Sequence, residues 1–62
     1  MTSREVIAAL RTGGWSLDRV TGSHHIFRHP AKPGTVTVPH PRKHIPIGTL
    51  KSIERQTGIK LR

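Results

Sequence analysis

The chain has 62 residues, with 11 Lys plus Arg against 3 Asp plus Glu, a formal charge of +8, five histidines and no cysteine. Disulfides and thiolate zinc sites are excluded, and a chain this short buries only about 60% of the surface its unfolded form exposes. It is expected to form one domain, residues 1–62, of modest stability, whose excess positive charge attracts polyphosphate regardless of sequence. The longest apolar run near the start, Val6-Ile7-Ala8-Ala9-Leu10, is too short for a signal segment or a membrane span. The chain therefore reads as complete, cytoplasmic and not bound to a membrane.

In Thr2-Ser3-Arg4-Glu5 a Thr cap and a Glu three residues later can bond each other's exposed N–H groups, which predicts a helix running to about Thr12. Val6, Ile7 and Leu10 form its apolar stripe, and Gly13-Gly14 supplies a left-handed stop. From Trp15 the period becomes two, with Trp15, Leu17 and Arg19 on one side and Ser16, Asp18 and Val20 on the other, the mark of a half-buried strand. Thr21-Gly22-Ser23 turns the chain into a second strand over His24 to His29. Pro30-Ala31-Lys32-Pro33-Gly34 turns it again, and Thr35-Val36-Thr37-Val38 is the third strand.

Three prolines make Pro39 to Pro46 a stiff basic loop. Pro46 then opens a helix over about Pro46 to Thr57, in which Ile47, Leu50 and Ile53 recur at helical spacing until Gly58. The tail from Ile59 to Arg62 either adds an apolar contact or frays.

The order is helix, strand, strand, strand, helix. This is an α+β domain in which short turns give a three-stranded antiparallel meander, with both helices on one face. Trp15, Leu17, Phe27, Val36 and Val38 are its expected inner positions, against Val6, Ile7, Leu10, Leu50 and Ile53. Alternation puts His25 and His29 on the side of Phe27 and leaves His24, Ile26 and Arg28 on the open face. His24 is thus free to meet a ligand, whereas His25 is expected to be a structural imidazole with a satisfied hydrogen bond.

Histidine titrates near neutrality and exchanges protons where Lys and Arg cannot. An exposed imidazole on a strongly cationic surface points to an enzyme that handles RNA. Five pieces in register then resemble the HicA family, the toxin half of a prokaryotic toxin–antitoxin pair. They are Gly14-Trp15-Ser16-Leu17-Asp18-Arg19, the Gly22-Ser23-His24-His25 turn, Thr35-Val36-Thr37-Val38-Pro39-His40-Pro41, Pro46 to Ile53, and the order of elements. The resemblance covers nearly the whole chain. It implies a fold similar to double-stranded-RNA-binding domains, degradation of mRNA, a HicB-like antitoxin that masks the site, and a catalytic histidine at His24, the first His after the Gly-Ser pair. His44 departs from the pattern, since relatives commonly carry an acidic residue just before the last helix.

The chemistry this implies needs no metal or other cofactor, because RNA carries its own nucleophile in the ribose 2′-hydroxyl. His24 would act as general base or acid. Gly22 allows a tight turn, Ser23 can donate to a phosphate oxygen, and Arg28, Arg42 and Lys43 are the candidates for neutralising transition-state charge. Against a metal site, His25 and His29 lie about 13 Å apart at strand rise, too far to share an ion. Trp15 and Phe27 are needed as core rather than as base-stacking platforms. The alternative is a binding-only RNA module of the double-stranded-RNA-binding type. A DNA-binding module is less attractive, because neither helix begins with the side chains of a groove reader.

Overall fold

The computed structural model describes all 62 residues. Helix α1 spans Ser3–Thr12, strands β1, β2 and β3 span Ser16–Thr21, His24–His29 and Lys32–Pro39, and helix α2 spans Ile47–Thr57. The capping box closes as the sequence predicts. The Glu5 N–H donates to Thr2 Oγ1 at 3.1 Å and the Thr2 N–H donates to a Glu5 carboxylate oxygen at 2.8 Å. The Thr2 backbone N–H, followed by the Thr2 hydroxyl, holds the Glu5 carboxyl below its ordinary range. At the other end of α1, Gly13 keeps φ of −82° and Gly14 makes the left-handed turn with φ of 92°.

The sheet is an antiparallel meander in the order β1-β2-β3. His25 pairs with Val38 and Phe27 with Val36, while Ile26 pairs with Thr37. Because directly opposed residues share a face, His25 and Phe27 point to the helices and His24, Ile26 and Arg28 to the open side. Both helices pack over β3. The core comprises Val6, Leu10, Trp15, Phe27, Val36, Val38, Ile45, Leu50, Ile53 and Leu61.

The structure corrects the predicted strands in two places. Leu17 opposes Phe27 but Arg19 opposes Ile26, so Asp18 is an extra residue in β1. This bulge reverses the alternation after Leu17, sending Arg19 to the open face and Val20 to the helix side. Leu17 and Val20 are still 41% and 49% exposed, because the helices stand over β3 at the far side of the sheet. Leu17 is therefore not the core residue its alternation suggests. The third strand starts at Lys32 rather than Thr35, with Pro33 and Gly34 inserted where the register jumps from Arg28↔Thr35 to His29↔Lys32. An edge strand tolerates a proline, and Gly34 supplies the positive φ of 79° that the irregularity requires.

Three smaller differences follow from tertiary contacts. Ile7 is half-buried rather than fully inside. Pro46 is the cap residue of α2, which starts at Ile47 with no side-chain hydrogen bond at its N-terminus. The tail does not fray, since Leu61 is buried and its N–H donates to a Glu54 carboxylate oxygen at 2.7 Å.

Candidate active site

Gly22 and Ser23 are the two residues between β1 and β2, and a positive φ at Gly22 alone, 59°, is the pattern of a type II′ hairpin turn, which suits the right-handed twist of its strands. The turn delivers His24 to the first position of β2, flanked by Thr21 on β1 and Pro39 on β3. His24 is exposed on the open face, and its ring takes no hydrogen bond within the protein. Both imidazole nitrogens are therefore available to a ligand. The turn is held from the β3 side by the His40 N–H, which donates to the Ser23 carbonyl at 2.8 Å.

The other histidines are differently placed. His29 lies edge-on to Trp15 with ring centroids 5.2 Å apart. Its Nδ1 accepts the Ala31 N–H at 3.0 Å, so its Nε2 carries the proton that bonds the Gly13 carbonyl at 3.1 Å. The Nδ1 of His40 lies 2.6 Å from the buried Ser3 hydroxyl, whose oxygen accepts the Arg42 N–H at 2.9 Å. The Ser3 hydroxyl thus joins the His40 ring to the Arg42 backbone. His25 packs edge-on against His40 at 4.7 Å. Contrary to the expectation from sequence, His25 Nδ1 is buried without a hydrogen-bond partner. His29 is bonded through both ring nitrogens and His40 through Nδ1 alone, whereas His25 Nδ1 has no partner. His44 is exposed in the loop, and no three His, Cys, Asp or Glu side chains converge where a metal ion could be held.

The candidate cations divide. Arg28 sits four residues along β2 from His24, about 13 Å away at strand rise, and faces Asp18 at 3.4 Å. Asp18 also pairs with Arg19 at 2.5 Å. The structure does not bring Arg28 to His24. Arg42 and Lys43 instead line a cleft with Thr2, Ser3, Arg4, His40 and Pro41, at the end of the sheet where β3 leaves its pairing with His24. Sequence reasoning missed His40 and Ser3, which meet only through a contact 37 residues apart in the chain.

Two helices on one face of a three-stranded antiparallel meander define a double-stranded-RNA-binding-domain-like protein, here with an exposed, unbonded imidazole opening the central strand on its uncovered side. The particular family follows from comparison with known proteins. The family model for the HicA toxin of bacterial toxin–antitoxin systems matches residues 3–59. Among solved structures, the chain is similar to one from a HicA3 and HicB3 toxin–antitoxin complex, at 36% identity over 100% of both chains with a TM-score of 0.88. No curated protein matches it. The chain belongs to the HicA toxin family. No helix is long and apolar enough to cross a membrane.

Proposed function

We propose that this toxin is an endoribonuclease that cleaves mRNA by transesterification, with His24 as its general acid/base. The observation that carries the reading is the position of His24. It stands exposed and unbonded on the open face, fixed in register between Thr21 and Pro39. His29 spends both ring nitrogens on the fold and His40 its Nδ1, and His44 lies on a loop.

In the reaction the 2′-oxygen forms a bond to phosphorus and the bond from phosphorus to the 5′-oxygen breaks. The 2′-hydroxyl gives up a proton and the departing 5′-oxygen gains one. His24 takes the first proton or supplies the second, and water serves the other step. The products are a 2′,3′-cyclic phosphate and a 5′-hydroxyl end. Ser23 and the backbone of the Gly22 turn are proposed to approach the phosphate, and Gly22 suits that role because a Cβ built on it would meet nothing within 4 Å.

The relative of known structure is assembled with HicB3. We propose that a HicB-like antitoxin binds this chain too and covers His24, with an acidic contact surface that complements the +8 charge.

The test is cleavage of end-labelled single-stranded RNA in excess EDTA, with His24→Ala alongside and the termini analysed. Cleavage by the parent alone, leaving 5′-hydroxyl ends, supports the reading. Binding by both proteins with cleavage by neither returns the protein to a non-catalytic RNA-binding module.

A further inference from the structure

Three hollows of similar size lie on the surface, and they differ in what their charges are already doing. The first, about 470 Å³, lies at the C-terminal end of α2 and contains Glu54, which binds Arg62 at 2.9 Å. The second, about 540 Å³, is bounded by Arg28, His29 and Lys32. Its cations are committed: Arg28 faces Asp18, both His29 nitrogens are bonded, and Lys32 Nζ donates to the Thr57 carbonyl at 2.7 Å. The third, about 520 Å³, is the cleft between the start of α1 and the loop after β3.

That cleft is lined by Arg4, Arg42 and Lys43 together with Thr2, Ser3, His40 and Pro41, and by no acidic side chain. None of the three cationic side chains makes an ion pair or hydrogen bond within the protein. The helix start beside it offers little by itself, because the N–H groups of Thr2, Ser3 and Glu5 are already bonded within the fold. What remains is concentrated, unneutralised side-chain charge above apolar stems and the Pro41 ring, a setting that attracts an anion.

The cleft is also coupled to the turn that carries His24. Ser3 accepts the Arg42 N–H at 2.9 Å through its hydroxyl, and its own N–H donates to the Arg42 carbonyl at 2.9 Å. His40, bonded to the same hydroxyl, donates its N–H to Ser23. Paired strand residues lie about 5 Å apart, and three residues of chain span at most about 11 Å. The Arg42 backbone therefore lies within about 16 Å of that of His24, by way of Pro39.

We infer that this cleft is a second phosphate subsite, holding the backbone of an RNA strand to one side of the linkage presented to His24. The identity of the strand rests on the ribonuclease reading above; the anion-binding character of the cleft does not. Arg4, Arg42 and Lys43 neutralise flanking phosphates, and the Ser3–His40 contact keeps them at fixed distance from the Gly22-Ser23 turn. A dinucleotide engages only the turn. A longer strand engages both.

The decisive measurement is affinity for a labelled single-stranded RNA in the His24→Ala background, so that it reads out whether or not the parent cuts. Arg4→Gln/Arg42→Gln/Lys43→Gln is compared with Arg11→Gln/Arg55→Gln, which removes two exposed charges elsewhere. The cleft variant is expected to bind about tenfold more weakly. Its plot of log affinity against log salt should be shallower by roughly 2, from three lost contacts to a single strand. In the His24 protein, the same changes should shrink the advantage of a long RNA over a dinucleotide. If the parent cleaves nothing but the cleft variant still loses affinity, the subsite stands and the ribonuclease reading fails. Equal RNA affinity for cleft and control variants overturns the inference. So does a cleft variant that keeps its RNA affinity but no longer binds poly-glutamate, an outcome that makes the cleft a protein-docking surface.

Discussion

The two ends of the small sheet use the same residue types for opposite purposes. At the Pro30-Ala31 end, His29 is bonded through both nitrogens and packed on Trp15, while Arg28 and Arg19 share Asp18. At the Gly22-Ser23 end, His24 is exposed and unbonded, and Arg4, Arg42 and Lys43 line a cleft with no counter-charge. Only at the second end is a proton acceptor or a positive charge left over for something outside the protein. Composition cannot separate the two, because both ends read as His and Arg among turn residues. What separates them is whether a partner within the fold has already claimed each group.

Substitutions at the two ends should therefore produce unlike losses. His24→Ala is expected to reduce RNA cleavage by about 10²–10⁴-fold, with RNA affinity and melting temperature nearly unchanged, measured by single-turnover cleavage beside anisotropy and thermal melts. His29→Ala should do the reverse. Loss of its two hydrogen bonds and its Trp15 contact is expected to cost about 1–3 kcal/mol, or roughly 5–20 °C in Tm for so small a domain. Cleavage per folded molecule should persist. A His29→Ala protein that melts normally, or a His24→Ala protein that unfolds, would erase the contrast.

Gly22→Ala sharpens it further. Its φ of 59° is unfavourable for an L-residue although the space around it is open, so the cost is conformational, about 1–2 kcal/mol in chemical denaturation. Asp18→Asn should change stability by less than about 1 kcal/mol, since its pairs with Arg19 and Arg28 are exposed.

The smallest effect concerns pH. The Leu61 N–H, followed by Arg62, holds the Glu54 carboxyl below its ordinary value of 4.5, and Thr2 does the same for Glu5. Each therefore releases its proton more readily in the fold than in the unfolded chain. Their contribution is complete above the ordinary carboxylate range and is lost as pH falls through the lowered values. Glu54→Gln should flatten the acid limb of a plot of Tm against pH. An unchanged limb would show that the lowered pKa of Glu54 does not contribute to it.

Much of this arrangement was legible in the chain because it is written locally. The capping box needs only Thr2 and Glu5, and the face of His24 follows from counting along β2, which has no interruption. The bulge at Asp18 was hidden because no Gly or Pro marks it and β1, as an edge strand, accommodates an extra residue. Ile45 and Leu61 enter the core as isolated apolar residues outside any repeating pattern. The partition of the cations was the least readable part. Arg28 loses its proposed place beside His24 to strand geometry and to Asp18, whereas Arg42 and Lys43 meet Arg4 only once the loop folds back onto α1.

The interruptions along the two sheet borders bear on behaviour at high concentration. One border strand is bent at Asp18, which with Arg19 puts charge at the bend. The other contains Pro33 and Pro39, which have no N–H to offer a neighbour. The unbroken stretch between those prolines is four residues of ladder, Thr35 to Val38, if Gly34 is set aside with the irregularity. Strand-by-strand growth from one molecule to the next has little to build on, so an overproduced preparation should stay soluble and free of cross-β fibre.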